Sequence, residues 1–292
     1  MKAKHFSIPY VGWMAIFVVT PIILVFVYAF TTSAGYFTLQ NFAEMGRFIP
    51  VFTRSFRLAF IATIICILLG HPIAYILARE GQRLQRLFIM LILLPLWINF
   101  LLRTYAWMSI LENTGLINRF LEFFWMSILE NIWPVMWPVN RFFDFPAAPA
   151  VRIINTPTAV VIGMVYNFLP FMILPIYSVI VKIDKSVLEA AQDLGANSFS
   201  VFRKLIIPLS LPGILSGVTM VFVPAVSAFV ITQLLGGGMV FLLGDLIEMQ
   251  FLGTAYNPHL GSAIAIVMML IVVFFVVIMN KFGAGEEKAV KL

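Results

Sequence analysis

Six long apolar segments separate the polar parts of this chain. Each runs for about twenty residues or more, which at a rise of 1.5 Å per residue is the length of helix that crosses a bilayer. We therefore predict an all-α integral membrane protein of about six transmembrane helices, at residues 10–30, 56–78, 88–111, 158–181, 206–231 and 261–281.

The polar connections carry lysine on one side of this arrangement only. Basic residues cluster at the N-terminus, in residues 79–87 and 182–205, and in the C-terminal tail. The connections 31–55, 112–157 and 232–260 contain no lysine. Because basic residues favour cytoplasmic loops, we predict that both termini of a multi-pass protein lie in the cytoplasm.

The composition agrees with a chain dissolved in lipid. Hydrophobic residues make up 62% and charged residues 11% of the 292 positions, whereas soluble domains carry about 25% charged residues. The net charge of +6 could suggest nucleic-acid binding, but the basic residues flank apolar runs and form no groove, so we expect none. Cys66 is the single cysteine and the three histidines are scattered, which argues against a disulfide framework or a metal site.

The N-terminus resembles a signal peptide, since Lys2 and Lys4 precede an apolar run. That run, from Tyr10 to Phe30, exceeds the usual apolar core of about 7–15 residues, so we interpret it as a retained first span. A cleaved signal ending near Ala34 is the alternative.

Two kinds of residue are unusual within the spans. Arg103 is expected to snorkel to the outer surface, with a pairing to Glu112 or Glu248 inside the bundle as the alternative. Prolines remove backbone hydrogen bonds and bend helices, either for packing or to surround a pathway; they are Pro21, Pro72, Pro95, Pro170, Pro175 and Pro224.

The outer connection contains a direct repeat. Residues 107–113 recur as 125–131, and a shift of eighteen residues is five helical turns. We interpret it as a local duplication that forms an extra helix at the outer surface, rich in tryptophan (Trp125, Trp133 and Trp137).

The connection 182–208 has the pattern of two short helices. Ser186 can cap the first, with Glu189 completing a capping box, and Gly195 supplies a left-handed stop. Ser198 can start the second helix, and Pro208 marks the start of the next span. An exposed apolar edge on such a pair suits the groove of another protein.

This connection resembles the EAA loop of ABC-importer permeases, whose pattern is E-A-A-x-x-x-G, nine residues, then I-x-L-P. The matching positions are Glu189, Ala190, Ala191, Gly195 and Pro208, while Leu205 and Ile207 exchange the pattern's Ile and Leu. The resemblance implies a type I importer transmembrane domain. The expected parts are an N-terminal helix and outer loop (1–55), the permease domain with its coupling loop (56–281), and a cytoplasmic tail (282–292).

The family resemblance also implies partners. A cytoplasmic ABC ATPase dimer would dock on the coupling loop, beside a second permease subunit, expected to be non-identical, and an extracytoplasmic substrate-binding protein. The chain has no G-x-x-x-x-G-K-[ST] phosphate loop and no catalytic constellation. We therefore expect it to be no enzyme and to bind no cofactor, with ATP used by the partner.

Further stretches resemble the spermidine and putrescine permeases, at 70–75, 93–97, 102–107, 163–172, 183–185 and 250–252. His71 departs from this likeness, since an aromatic residue is expected there. Cations favour aromatic faces and carboxylates, so the candidate substrate residues are Trp97, Tyr105, Trp107, Tyr166, Phe168, Asp245 and Glu248. We expect Asp245 and Glu248 to share one face toward an aqueous vestibule.

Two other interpretations remain at this point. One is an ABC permease for another small solute, such as iron, thiamine or an oxyanion. The other is a stand-alone secondary transporter, which typically carries inverted repeats and intramembrane ionisable residues.

Overall fold

The structure is a computed structural model that describes residues 8–124, 152–253 and 255–289. The described chain is helical apart from its connections and an isolated bridge between Thr31 and Phe37. The helices are α1 Tyr10–Ala29, α2 Gln40–Arg79, α3 Gln82–Trp97, α4 Phe100–Leu111, α5 Pro157–Ile180, α6 Lys185–Asp193, α7 Ser198–Leu209, α8 Leu211–Val226, α9 Val230–Gly236, α10 Leu243–Leu252 and α11 Pro258–Ala289. Residues 116–124, after α4, are also helical.

Four of the described helices are long and apolar enough to cross a bilayer: α1, α2, α5 and the part of α11 up to Lys281. The count reaches six when the bent pairs α3–α4 and α7–α8 are each taken as one span, which agrees with the prediction of about six. The duplicated segment 125–131 lies outside the described residues, as does most of the proposed outer helix.

Helices α2, α5 and α8 form the centre of the bundle. Their facing sides bury small and apolar residues such as Ala59, Met164 and Val221. Glycines let the backbones approach: a Cβ at Gly213 of α8 would lie 2.8 Å from the carbonyl oxygen of Pro175 in α5. Lipid tails are as apolar as leucine, so close packing of this kind is what holds membrane helices together.

Helix α1 lies at the edge of this bundle. It packs on α11 through Ala29, Ala263 and Ile266, and most of its other side chains are exposed. Beyond its end, the Asn41 side chain donates hydrogen bonds to the carbonyl oxygens of Ala29 (2.9 Å) and Thr31 (3.1 Å). These bonds attach the connection after α1 to the start of α2.

The predicted span 88–111 is one of these bent pairs. The helix starts earlier, at Gln82, and its axis turns by 93° between Trp97 and Phe100. Pro95 removes a backbone donor near this end of α3. The Asn99 side chain then accepts a hydrogen bond from Leu101 N (2.8 Å) and caps α4.

Both expectations for Arg103 fail for the same reason. Those expectations placed Arg103 within one helix that runs straight across the bilayer, whereas α4 turns away from α3. Arg103 is only 8% exposed, and its guanidinium lies 5.7 Å from the centre of the Phe100 ring. Within the described chain it forms no ion pair with Glu112 or Glu248.

The predicted span 206–231 is also corrected. Helix α8 begins at Leu211 and ends at Val226, and its axis turns by 67° from that of α7. Pro208 therefore lies within α7, before the bend, and does not start the span. Ser210, between Pro208 and Pro212, is the residue at the bend.

The bundle has two distinct ends. At one, Tyr177 near the end of α5 donates a hydrogen bond to Gln85 of α3 (3.2 Å), beside the connection 182–197. We call this the loop end. At the other, Leu243 N at the start of α10 donates to Ser55 Oγ of α2 (2.8 Å); we call this the opposite end.

Candidate functional site

The loop end presents the two short helices that the sequence predicts, but their caps differ. Asp184, not Ser186, caps α6 by accepting a hydrogen bond from Ser186 N (3.0 Å). The predicted capping box of Ser186 and Glu189 is therefore wrong. Hydrogen bonds from the Ser186 backbone and hydroxyl hold the pKa of Asp184 below its ordinary value. Both residues are good N-caps, and sequence alone does not choose between them.

Gly195 ends α6 as predicted. Its φ is +84°, in the left-handed region that side chains with a Cβ disfavour. Gly195 N donates to Gln192 O (2.8 Å) and Ala196 N to Ala191 O (3.1 Å), which is the Schellman arrangement. The chain then turns into α7, where Asn197, one residue before the predicted Ser198, accepts from Ser200 N (2.8 Å).

The helix pair divides its apolar residues between two surfaces. Leu188 and Val201 are buried against the bundle. Leu194 is 89% and Phe199 69% exposed on the outer side of the pair. Of the EAA positions, Glu189, Ala190, Gly195 and Pro208 are exposed and Ala191 is half-buried. This surface has the exposed apolar edge expected of a protein-docking site.

The opposite end holds the predicted acidic pair, but Asp245 does not face an open vestibule. Asp245 is 5% exposed and lies against α9, where its carboxyl oxygens are 2.8 and 2.7 Å from Thr232 Oγ1. Leu242 N donates to the same carboxyl group (2.9 Å). Asp245 therefore ties α10 to α9, a contact between residues thirteen positions apart that no local pattern indicates.

Protonation of Asp245 follows from this setting. Burial raises its pKa to about 6, against the lowering effect of the hydrogen bonds from Thr232 and Leu242. The nearby Glu248 is a smaller contributor to the same increase in pKa. Thr232 Oγ1 also lies 2.6 Å from Phe229 O. When the Asp245 carboxyl is protonated, it donates a hydrogen bond to Thr232 Oγ1. The Thr232 hydroxyl can then donate its single proton to Phe229 O.

Glu248 is the freer of the two acids. It is half-buried and accepts a hydrogen bond from Gln233 Nε2 (2.6 Å). Asp245, Glu248, Thr232 and Gln233 line one cavity of about 340 Å³, closed on its apolar side by Phe241 and Met249. Asp245 and Glu248 thus line the same cavity, as their spacing suggested. Asp245 is hydrogen-bonded to the helix beside it.

The candidate aromatic residues do not form one group. Trp107 of α4 and Tyr166 of α5 meet with ring centres 5.2 Å apart. Trp97 and Tyr105 are exposed on α3 and α4, and Phe168 is buried in the core. Among the described residues no group of three or more His, Cys, Asp or Glu is placed to hold a metal ion.

The overall fold matches that of a solved transporter. A crystal structure of a bacterial ABC transporter involved in the import of the acidic polysaccharide alginate aligns with a TM-score of 0.75 at 15% identity. The alignment covers 97% of this chain and 94% of the other. The chain therefore has the fold of a chain in an ABC transporter.

The sequence comparisons give the family. Residues 70–282 match the model of the binding-protein-dependent transport system inner membrane component, and the chain belongs to that family. The spermidine/putrescine transport system permease protein PotB of Haemophilus influenzae is 38% identical over 283 residues, covering 92% of this chain and 91% of PotB. PotB of Escherichia coli K12 is 34% identical, covering 97% and 98%.

We expect Asp245 to make stability depend on pH. The folded protein holds this proton more tightly than the unfolded chain, so stability falls as pH rises from about 4 to about 6. The thermal midpoint of the purified protein should be higher at pH 5 than at pH 7.5, by at least about 2–4 °C, the shift that about 1 kcal/mol produces.

Asp245→Asn should remove most of this dependence, because the amide can donate to Thr232 and still accept from Leu242. Glu248→Gln is the matched control and should keep most of it. An Asn variant with the same pH slope as the parent would show that another group is responsible.

Proposed function

We propose that this chain is a membrane-spanning permease subunit of an ATP-driven importer for polyamines, such as spermidine and putrescine. The observation that carries the proposal is its 34–38% identity to PotB proteins over nearly the full length of both chains. We infer that an extracytoplasmic binding protein delivers the substrate, and that a second, non-identical permease subunit completes the pathway.

The ATPase partner is inferred from the loop end. An exposed edge with Leu194 and Phe199 needs a partner to cover it. Glu189 and Ala190 lie on the same exposed helix, and Gly195 sets the angle between α6 and α7. We propose that a cytoplasmic ATPase dimer docks here and hydrolyses the ATP, since this chain has no phosphate loop. The chain itself would be no enzyme and bind no cofactor.

The cavity at the opposite end supports a role in attracting cations. No lysine or arginine lies in the segment 232–260, so the Glu248 carboxylate has no basic neighbour in that part of the sequence. A carboxylate attracts a di- or trication more strongly than a monovalent ion, over a screening length of about 8 Å at physiological salt. We propose that Glu248 and Asp245 act near the start of the route and that Trp107, Tyr166, Trp97 and Tyr105 offer ring faces along it.

Reconstitution tests the function. Proteoliposomes containing this chain, its ATPase and its second permease should take up labelled spermidine or putrescine only with luminal ATP and the external binding protein. Thiamine, iron and sulfate serve as competing solutes. Uptake of one of these in place of polyamine, or polyamine uptake driven by an ion gradient without ATP, would contradict the proposal.

The same assay tests the acid pair. Glu248→Gln should slow spermidine uptake several-fold at low ionic strength and less at high ionic strength. Glu44→Gln, which removes an exposed acid paired with Arg47 at the opposite end, is the matched control and should transport normally. Equal rates for the two variants at every salt concentration would leave Glu248 without this role.

The orientation is a separate inference. The loop end carries the basic connections 79–87 and 182–205, so we propose that it faces the cytoplasm, together with both termini. In a variant with Cys66 replaced, Ser198→Cys should react with a membrane-impermeant maleimide only after the membrane is opened. Tyr36→Cys, exposed at the opposite end, should react in intact cells. The reverse pattern would overturn the orientation.

The angle of the loop helices gives a test of coupling. A Cβ at Gly195 meets no atom within 4 Å, so Gly195→Val acts through its positive φ alone, at a cost of about 1–2 kcal/mol. We expect a correctly inserted protein with at least about tenfold less ATP-driven uptake. Gly81→Val, which also meets no atom within 4 Å and has no positive φ, should stay near the parent. Full uptake by Gly195→Val would show that the left-handed turn is dispensable.

A further inference from the structure

The bend between α7 and α8 is held by a side chain. Ser210 is fully buried at the bend, and its hydroxyl donates a hydrogen bond to Ile207 O (3.1 Å). Pro212, two residues on, has no N–H for the carbonyl oxygen of Pro208. The backbone ladder is therefore weakened at the point where α7, the second helix of the coupling loop, joins the core helix α8.

Helix α2 contacts this bend through His71. The His71 Nε2 atom lies 2.7 Å from Ser210 Oγ, across 139 residues of sequence. Since the Ser210 proton serves Ile207 O, His71 must be the donor, with a proton on Nε2. His71 is 4% exposed, and its Nδ1 atom has no hydrogen-bond partner in the described chain. The bond to Ser210 is thus the polar contact that orients the ring.

The same ring also touches the second helix of the coupling loop. His71 meets Phe202 of α7 edge-on, with ring centres 5.1 Å apart, and Tyr75 meets Phe202 at 5.2 Å. The Arg79 guanidinium lies 4.8 Å from the centre of the Tyr75 ring. One side of α2 therefore holds both the bend and the helix before it.

Helix α2 carries this contact to the opposite end. Ser55, sixteen residues before His71 and so about 24 Å away along the helix, accepts the hydrogen bond from Leu243 N at the start of α10. Helix α10 bears Asp245 and Glu248. A displacement of α2 at His71 would thus reach the acidic cavity through a single continuous helix.

We propose that His71 is a positioning residue: its hydrogen bond to Ser210 links movement of the coupling loop to α2, and through α2 to the cavity of Asp245 and Glu248. The proposal rests on the proposed function, because it assigns a route by which ATPase movement reaches the substrate path. It predicts that loss of the bond separates ATP hydrolysis from transport without loss of assembly.

The first test measures spermidine taken up per ATP hydrolysed by the reconstituted complex. His71→Phe keeps a ring against Phe202 and removes the hydrogen bond, and Ser210→Ala removes the partner. Each should lower the ratio about fivefold, and the double variant should fall no further than the worse single one. His71→Gln, which can donate to Ser210, should recover most of the loss.

A matched control separates coupling from simple destabilisation. Thr63 is another buried polar residue of α2, but it bonds within its own helix, to Ala59 O (2.7 Å). Thr63→Val should keep the parent ratio. Parent ratios in His71→Phe and Ser210→Ala, additive losses in the double variant, or an equal loss in Thr63→Val would each overturn the proposal.

A second measurement does not depend on the substrate. Hydrogen–deuterium exchange of the purified chain reports the amides at the bend, among them Ser210 N and Ile214 N, which are bonded to Ile206 O and Ser210 O. Exchange there should rise about fivefold or more in His71→Phe and Ser210→Ala, and match the parent in His71→Gln and Thr63→Val. If the parent complex imports no polyamine, the proposed function fails. The hydrogen–deuterium exchange still tests the role of His71, and equal exchange rates in all variants would overturn that role.

Discussion

The close contact of α2, α5 and α8 is the constraint on which the other features depend. In a bilayer, burying apolar side chains between helices gains little over exposing them to lipid, so helices associate where backbones can approach closely. Glycines at 213 and 217 of α8 permit this, since a Cβ at either would collide with α5. At Gly213 the backbones of α5 and α8 almost touch, and α2 packs beside them through small residues such as Ala59. The loop helices, α9 and α10 are arranged around this centre.

Around that centre the chain breaks its helices, and side chains satisfy the backbone groups that the breaks release. Lipid offers no hydrogen bonds, so irregular backbone is tolerated only where the protein supplies partners. Asn99 does so at the 93° turn and Ser210 at the 67° turn. Asp184 and Asn197 cap the loop helices in the same way outside the proposed spans. All four are short polar residues suited to capping and turns. The bends are therefore built features of the fold, and they lie at the candidate functional regions.

The features predicted well from the sequence are those with local causes. Apolar length locates the spans, although α2 begins at Gln40, well before the predicted residue 56. Glycine best suits the left-handed end of α6, at Gly195. Local patterns could not choose between Asp184 and Ser186, because both make good caps. They indicated a bend at Pro95 but not the full break at Ile98–Asn99, which lies inside one apolar run, although the asparagine four residues after Pro95 was a usable signal. The contacts His71–Ser210 and Asp245–Thr232 join different helices, and single-sequence periodicity carries no information on such pairs.

These long-range polar contacts change how the acidic pair should be understood. The sequence suggested two equivalent charges, yet burial makes Asp245 a group that favours its protonated form below pH 6 and joins α9 to α10. That leaves Glu248 as the carboxylate available to a cation, on a helix whose first turn is bonded to Ser55 of α2. If Glu248 attracts the substrate cation, as we propose, a displacement of α10 would move that carboxylate relative to the cation. Helix α10 is short, tied by hydrogen bonds at Leu242 and Leu243, and in contact with the same α2 that holds the bend at Ser210. Attraction and release of a polycation would then differ by the position of one helix and would need no change in the number of charges.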